Sequence, residues 1–164
     1  MKAANRARRR SLLFAIATMA LQTTPKAEAS VHGSRGEGLR VESLDVLTTS
    51  GAHHFKVEIA DTGAKRARGL MFRTSLAPDR GMLFDLKTPR PVAFWMKNTL
   101  VSLDMLFIAA DGRIISVARD AVPKSEVPIP SGGAVRAVLE IAGGEATRIG
   151  AGPGDRIRYR IFQR

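Results

Sequence analysis

The chain contains no cysteine among its 164 residues. Disulfides, thiolate metal sites, cysteine nucleophiles and cysteine-linked lipid anchors are therefore excluded. Aromatic residues are also scarce, with one Trp, one Tyr and seven Phe. Hydrophobic residues nevertheless make up 45% of the chain, which is typical of a folded protein rather than a disordered one. The length suits one domain with its own core.

The start of the chain is strongly basic and carries an apolar segment too short to span a bilayer. The first ten residues hold five basic and no acidic side chains, and the eleven-residue stretch SLLFAIATMAL follows. A membrane-spanning helix needs about 20 residues. Ala27-Glu28-Ala29 then offers a small-x-small cleavage signal before Ser30. These features predict a signal peptide over residues 1–29 and an exported, periplasmic or extracellular protein. An uncleaved anchor and a cytoplasmic basic arm are the alternatives.

The charge of the chain is concentrated in this first segment. The net charge is +11, and residues 1–29 contribute +5 of it through six Lys/Arg and one Glu, so +6 remains. An exported domain with this mild charge and few aromatics is not expected to bind nucleic acid. Contact with a membrane is expected only through the N-terminal signal, if it is not cleaved.

Residues 30–39, with three glycines, are predicted to form a flexible lead-in to a single β-rich domain over residues 40–164. In HHFKVEIA, the apolar Phe55, Val57 and Ile59 alternate with charged residues, which is the pattern of a strand buried on one face. Further strands are predicted in LRVESLDVLT, GMLFDL, VAFWMKN, LDMLFIAADGRIISVAR, AVRAVLEIA and DRIRYRIF.

Two short helices are predicted between the strands. In DTGAKRARGLM, Asp61 or Thr62 can cap the first amides, and Gly69 can end the helix in a left-handed conformation. GGEATRIG predicts a second helical turn. The segment DAVPKSEVPIPSGG, with three prolines, predicts a long loop of a kind that is often functional.

Asp111-Gly112 stands between two apolar runs and predicts a tight hairpin. With these two residues as the loop, Ile108 faces Ile115 and Asp104 faces Arg119. Both faces of the hairpin are then apolar, so both must be covered. We therefore predict an α+β, β-rich fold, a compact barrel-like mixed sheet of about seven or eight strands with two short helices.

Five motifs occur in order along the chain: RARGLMFRTSL, RGMLFDL, VAFWMKNTLVSLDMLFIAADGRIISV, VLEIAGG and GPGDRIRY. Together they resemble the family called domain of unknown function 192, over about residues 41–162. The resemblance implies a small, β-rich, often exported bacterial or archaeal protein. Because the role of the family is not established, it implies no catalytic residue. In one departure, Arg136-Ala137 stands where the family often has an aromatic residue, so any aromatic lining contributed there is missing.

Three polar side chains, Lys97, Asn98 and Asp104, interrupt the most apolar stretch of the chain, FWMKNTLVSLDMLFI. On a strand, Trp95 and Lys97 share one face and Asn98 points to the other. One interpretation is structural, with Lys97 extending to solvent or to an acid and Asn98 capping a turn. The other is a ligand site floored by Trp95, with Lys97 as its cation and Asn98 as its orienting amide.

The leading hypothesis is a non-enzymatic exported module that binds a small ligand or an extended segment of a partner protein beneath the proline-rich loop. The alternative is a hydrolase or transferase that uses Asp104 and Glu140 with Lys97. No nucleophile elbow, His-Glu motif or phosphate loop is present to support it. The candidate binding residues are Trp95, Met96, Lys97, Asn98, Asp104, Arg68, Arg73 and Glu140.

No metal site or other cofactor is predicted. His53 and His54 are neighbours on a predicted strand and point to opposite faces, and His32 lies in the lead-in. Thioether sulfur suits Cu(I), so copper binding is a second alternative function. Its candidate ligands, which are also interpretable as ordinary core residues, are Met71, Met82, Met96 and Met105.

Overall fold

The computed structural model describes residues 38–162, so the predicted signal peptide and most of the predicted lead-in lie outside the described residues. The strands are β1 (Val41–Thr48), β2 (Gly51–Ala60), β3 (Arg80–Arg90), β4 (Ala93–Phe94), β5 (Leu103–Ile108), β6 (Ile114–Ala121), β7 (Ile129–Pro130), β8 (Val135–Ala142) and β9 (Arg156–Arg158). The helices are α1 (Gly63–Arg68) and α2 (Glu145–Arg148), and a 3₁₀ turn follows at Arg160–Phe162. Within this part of the chain, no helix has the length and apolar character needed to cross a membrane.

Seven strands form one curled sheet in the order β6-β5-β8-β3-β2-β1-β9. Neighbouring strands are antiparallel except for β2 and β3, which are parallel and connected through α1. β4 and β7 pair with each other outside this sheet, over two residues each. The predicted α+β fold, a β-rich, barrel-like mixed sheet with two short helices, is confirmed.

Helix α1 begins and ends where the sequence predicts. The Thr62 hydroxyl accepts a hydrogen bond from the Lys65 amide at 3.3 Å, so Thr62 is the capping residue of the two that were possible. Asp61 instead binds the Lys65 ammonium at 3.3 Å. Gly69 ends the helix with φ = 48°, and its amide donates to the Lys65 carbonyl. A residue without a side chain adopts this positive φ at little cost.

The turn between β5 and β6 is longer than predicted. The Gly112 amide donates to the Ala109 carbonyl at 3.1 Å, and the Ala109 amide donates to the Arg113 carbonyl at 2.8 Å. The loop therefore includes Ala110 as well as Asp111 and Gly112. Gly112 has φ = 83°, the left-handed glycine of a bulged hairpin.

The extra loop residue changes which side chains enter the core. Ile108 pairs with Ile114, and not with Ile115 as predicted. A shift of one residue moves a side chain to the other face of a sheet. Ile114 consequently lies in the core with Ile108, and Ile115 packs on the opposite face.

Apolar side chains cover both faces of the sheet, as the hairpin pattern requires. All six residues of β5 are buried. The inner core lies inside the curl and receives side chains from all seven strands of the sheet, among them Val46, Val57, Leu83, Leu106, Ile114, Leu139 and Ile157. The outer core lies between the sheet and the segments that cover it, and includes Leu70, Met82, Phe84, Met96, Met105, Phe107 and Val138.

The two edge strands of the curled sheet, β6 and β9, meet at one end. The Ile114 amide donates to the Asp155 carbonyl at 2.8 Å, and the Ile114 carbonyl accepts from the Gly154 amide at 2.9 Å. The Ile157 amide donates to the Gly112 carbonyl at 2.8 Å. A Cβ atom on Gly112 would lie 2.8 Å from the Ile157 carbonyl oxygen, so the closure requires glycine at this position.

The predicted last strand is shortened, and the 3₁₀ turn that follows it binds the start of the domain. The Tyr159 hydroxyl donates to the Glu42 carboxylate at 2.6 Å, and Arg160 Nε donates to the same oxygen at 2.9 Å. The hydrogen bond from Arg160 is the largest influence on Glu42 and lowers the pKa of its carboxyl to about 2. Glu42 therefore stays ionised down to strongly acidic pH and keeps β1 tied to the end of the chain.

Asp104 is fully buried, but its predicted pairing with Arg119 is wrong. Its two carboxylate oxygens accept hydrogen bonds from the backbone amides of Asp120 and Ala146, each at 2.7 Å. The physical reason is a bulge: Leu103 and Met105 pair with residues three apart on β6, so two β6 residues lie opposite Asp104. The carboxylate binds one of the amides in this irregular stretch and also the start of α2.

The Arg119 side chain extends toward a different carbonyl. Its guanidinium donates to the Ala151 carbonyl at 2.5 Å and to the Thr147 hydroxyl at 3.3 Å. It therefore holds the end of α2 against β6, a structural role for which no carboxylate partner is needed.

We expect Asp104→Asn to destabilise the fold by about 3 kcal/mol, because one oxygen that accepts a charge-assisted hydrogen bond is replaced by an amine facing an N–H group. Urea unfolding measures the loss. Asp79→Asn is the matched control, since Asp79 is exposed and makes only a 3.6 Å ion pair with Arg80. Equal stabilities for the two variants would contradict the role given to Asp104.

Candidate functional site

A cavity of about 330 Å³ opens on the outer face of the sheet. One wall is the end of α1 and the loop after it, residues 66–71. The opposite wall is Arg90 and residues 92–95 with Lys97 and Thr99, and the sheet contributes Phe84, Leu86 and Glu140. The volume falls in the range of sites that bind small molecules.

Glu140 is the acid of this cavity and is 5% exposed. It lies on β8, paired with Met82 of β3 on one side and Met105 of β5 on the other, so its side chain points into the outer apolar layer. No side chain or backbone group of residues 38–162 is hydrogen-bonded to its carboxyl. Burial raises the pKa of Glu140 to about 8, so the group is a neutral carboxylic acid at pH 7.

Aromatic rings form much of the wall around this acid. The Phe84 and Phe94 rings meet edge to face with centroids 5.0 Å apart, and Phe94 contacts Phe107 in the same way at 6.2 Å. Trp95 is 49% exposed and lies at the mouth of the cavity, and not at its floor as predicted. The Lys97 ammonium lies 5.2 Å from the centre of the Trp95 ring, a cation–π contact.

Four cations surround the cavity. Arg66 and Arg90 donate to the backbone carbonyls of Asp85 and Leu86, at 2.9 Å and 3.1 Å, and these bonds leave their charges uncompensated. Within residues 38–162, no carboxylate lies in ion-pair distance of Arg68. The fourth, Lys97, makes a 3.6 Å ion pair with Glu126, but both side chains are exposed and such pairs contribute little. The mouth of the cavity is consequently electropositive.

The segment that carries Trp95 and Lys97 is a tight turn and not the strand that was predicted. Only Ala93 and Phe94 are extended in β4. The Thr99 amide donates to the Met96 carbonyl at 2.9 Å, and Asn98 has φ = 55°. Asn is one of the few residues with a side chain that tolerates this conformation. Asn98 therefore forms the turn, as its structural interpretation expects.

Three loops meet at this turn, and each contains a residue other than glycine with positive φ. These residues are Phe72 (66°), Asn98 (55°) and Lys124 (63°). The Phe72 amide donates to the Asn98 carbonyl at 2.8 Å, and the Lys124 amide donates to the Thr99 carbonyl at 3.0 Å. Backbone strain of this kind is found often at functional sites, where the surrounding contacts maintain it.

Of the eight predicted site residues, four line the cavity and four do not. Trp95, Lys97, Arg68 and Glu140 line the cavity together. Met96 is fully buried in the outer core below it, and the Asn98 amide contacts the Met71 sulfur at 3.9 Å.

Arg73 and Asp104 lie elsewhere. Arg73 forms a 2.5 Å ion pair with Glu58 and lines a separate hollow of about 260 Å³. Asp104 pairs with Ile141 and shares the inner face of the sheet with it, whereas Glu140 shares the outer face with Met105. The two carboxyls therefore do not converge, and the acid pair required by the alternative enzymatic hypothesis is not formed.

The histidines and methionines also occupy separate environments. His53 binds the Thr48 and Ser50 hydroxyls, and His54 binds Asp45. In the described part of the chain, no cluster of three or more His, Asp or Glu residues could hold a metal ion. The methionines of the copper hypothesis that are fully buried among apolar side chains are Met82, Met96 and Met105.

Several lining residues were not identified from the sequence. The sequence predicts Phe84 and Phe94 only as strand residues, and no pattern distinguishes Arg66 or Arg90. No local pattern identifies Arg66 as a lining residue, because helix α1 ends at Arg68 and Leu70 lies in the turn after it. Arg136, at the position of the family's aromatic residue, forms an ion pair with the buried Asp85.

One family model and two solved structures are similar to this chain. The profile of DUF192, described as "Uncharacterized ACR", matches residues 46–159. A crystal structure from Sinorhizobium meliloti 1021, described as a "putative transcription regulator", is 47% identical with a TM-score of 0.72, covering 74% of this chain and 95% of that chain. A protein of unknown function from Novosphingobium aromaticivorans DSM 12444 is 44% identical with a TM-score of 0.73, covering 76% and 89%. No curated protein matches the chain.

The raised pKa of Glu140 predicts a pH dependence of stability. Between pH 4.5 and about 8 the folded state keeps a proton that the unfolded state has lost. The free energy of unfolding therefore falls as pH rises, by about 1.4 kcal/mol per pH unit from this group, and levels off above about pH 8.

Glu140→Gln cannot titrate, so we expect this part of the slope to disappear. Urea unfolding at pH 5, 6, 7 and 8 measures the difference between the variant and the wild type. Glu126→Gln, at an exposed position, should retain the wild-type slope. A wild-type slope in Glu140→Gln would show that Glu140 is not the titrating group.

Proposed function

This chain belongs to the DUF192 family, and from that premise we propose that it is a non-enzymatic module that binds a small organic ligand in the cavity over Glu140. The observation that carries the proposal is the Glu140 carboxyl itself. It is buried, has no hydrogen-bond partner within residues 38–162, and faces an aromatic-lined space. Because no fully buried side-chain oxygen or nitrogen among the described residues lacks a hydrogen-bond partner, the Glu140 oxygens open into the cavity, where a polar group of a ligand can bind them.

Binding without chemistry is the function that this arrangement supports best. Catalytic sites commonly combine a proton-transfer group with a second such group or a nucleophile within hydrogen-bond reach. Among the described residues, Glu140 is the one carboxyl that lines the cavity, and its titratable neighbours there are permanently charged arginines and Lys97. Apolar walls with a few polar groups at fixed positions are typical of sites that hold a ligand.

Nucleic-acid binding receives less support from the surface of the domain. Three arginines, Arg156, Arg158 and Arg160, alternate along β9 and the turn after it, and we call them the arginine stripe. Each of them has a carboxylate partner. Arg158 binds Asp45, Arg160 binds Glu42, and Arg156 lies 3.7 Å from Asp111. Paired arginines neutralise fewer phosphates than free ones, so this stripe favours a structural role.

Ligand binding at the cavity is tested with the fluorescent probe 8-anilinonaphthalene-1-sulfonate, an anion with an aromatic body. We expect Ala67→Trp to weaken its binding at least about tenfold, or about 1.4 kcal/mol, because Ala67 lines the cavity and a large ring there fills it. The measurement is a fluorescence titration of the protein purified from cells that express the full chain.

Ala64→Trp is the matched control for this experiment. Ala64 is also exposed on α1 but does not line the cavity, so the substitution adds the same ring at a neighbouring position. If both variants bind the probe as the wild type does, the cavity is not the binding site.

We also propose that the protein is exported, because of the basic, apolar and small-residue parts of residues 1–29. Expression of the full chain in a bacterium with a periplasm should give a periplasmic product that begins at Ser30, as measured by intact mass. Ala29→Asp, which places a charge at the cleavage position, should prevent this processing. A cytoplasmic product that retains Met1 or residue 2 in the wild type would contradict export.

A further inference from the structure

The cavity over Glu140 has three chemically different zones, and together they define a class of ligand. This inference rests on the proposed function and adds the identity of the ligand class. The zones are a protonatable acid at the sheet, aromatic rings in the middle and cations at the mouth. A ligand that matches all three must be polar at both ends and apolar between them.

At the deep end, the ligand must offer a hydrogen-bonding group to Glu140. A neutral carboxylic acid has one O–H donor and a carbonyl acceptor. An alkyl chain in this position would leave the O–H donor and the carbonyl acceptor of Glu140 without hydrogen bonds, which costs free energy in a site closed to water. An ammonium group would have to pass four cations to reach Glu140. A neutral hydroxyl group meets both requirements, since it donates and accepts.

In the middle, the walls favour a flat ring. Phe84 and Phe94 are already arranged edge to face, and Trp95 stands at the outer end of the same space with half of its surface exposed. Aromatic rings add stacked or edge-to-face contacts to such an arrangement, beyond the area they bury.

At the mouth, the charge favours an anion. The Arg68 guanidinium has no ion-pair partner within residues 38–162, and the one carboxylate near Lys97 in that range is the exposed Glu126. Planar guanidinium groups bind carboxylates through paired hydrogen bonds. An acid group on the outer end of the ligand would therefore meet Arg68 and Lys97 as it enters.

We propose that the natural ligand is a small aromatic carboxylic acid with a hydroxyl group at the end of the ring opposite its acid group. The hydroxyl group binds Glu140, the ring packs against Phe84 and Phe94, and the carboxylate lies between Arg68 and Lys97. The cavity volume of about 330 Å³ equals that of about eleven liquid waters, which suits one substituted ring with a short acid arm.

Three compounds separate the contributions of the two ends. 4-Hydroxyphenylacetate has both polar ends, phenylacetate lacks the hydroxyl group, and tyramine carries an ammonium in place of the carboxylate. Calorimetric titration of the wild-type protein should give the tightest binding for 4-hydroxyphenylacetate, with phenylacetate about tenfold or more weaker and tyramine the weakest. Equal binding of the three, or no binding of 4-hydroxyphenylacetate, overturns the proposal.

A substitution at Glu140 tests whether the preference arises at the deep end. In Glu140→Leu the hydroxyl group has no partner, so the preference for 4-hydroxyphenylacetate over phenylacetate should disappear or reverse. Glu140→Gln keeps hydrogen-bonding capacity and should retain the preference. Glu140→Met, which has no strong donor or acceptor, tests the same point if the leucine variant does not fold. Glu58→Gln is the control, because it removes an acid from the separate hollow and should leave the preference unchanged. A preference that survives in Glu140→Leu assigns the hydroxyl group to another site and overturns the proposal.

Failure of this proposal is distinguishable from failure of the proposed function. If Ala67→Trp abolishes binding of the naphthalene sulfonate probe but the three compounds do not discriminate, the cavity binds ligands of another class. If Ala67→Trp leaves binding of the probe unchanged, the cavity itself is not the binding site.

Discussion

The central strands of the sheet are apolar on both faces, and most of the remaining structure follows from covering them. Every residue of β5 is buried, and so are six consecutive residues of β3, Gly81–Leu86. The sheet covers one face by curling on itself until β6 meets β9. Within the described residues, the other face is covered by no long helix, and the second sheet on that side, β4 with β7, has only two residues in each strand. This face is otherwise covered by one short helix and by irregular segments held to each other through backbone hydrogen bonds. Strained conformations at Phe72, Asn98 and Lys124 are the cost of fitting such segments together.

The candidate site is the place where this outer cover does not touch the sheet. An apolar side chain at position 140 would complete the layer formed by Met82, Met105 and Val138. The chain has an acid there instead, and it breaks the local rule that core positions are apolar. The backbone at this point is closely packed, because a Cβ on Gly81 would lie 2.3 Å from the Glu140 carbonyl oxygen. Glu140 is thus presented to the cavity from a rigid part of the sheet, which favours a defined geometry toward a ligand.

Local patterns in the sequence predicted the strands and both helices well. A few neighbouring residues are enough to predict the apolar alternation at Phe55, Val57 and Ile59 and the helix cap at Thr62. One error was the strand predicted in VAFWMKN, of which only Ala93 and Phe94 are extended, and the others arose where one residue changes the register. Because of the bulged turn at Gly112, Ile114 and not Ile115 pairs with Ile108. Because of a second bulge, Asp104 binds backbone amides and not Arg119. The cavity could be predicted only in part, because it joins segments near residues 68, 95 and 140 that are far apart in the chain. Lys97 and Glu140 are identifiable from the sequence because each is a polar residue in an apolar run. The sequence around each of them does not show that both face the same cavity.

Strand β1 is hydrogen-bonded to β9, and Arg158 binds Asp45 across a sequence separation of 113 residues. The first and last strands of the domain are therefore neighbours, and the last strand also closes the curled sheet against β6. A nascent chain that lacks its final residues has an open β1 edge, an unfilled inner core and no contact between Tyr159 and Glu42. Contacts between distant segments form slowly, since the ordering of the intervening chain must be completed first. The sheet is consequently completed only when β9 is available to pair with β1, so this domain cannot reach its final structure one segment at a time along the chain.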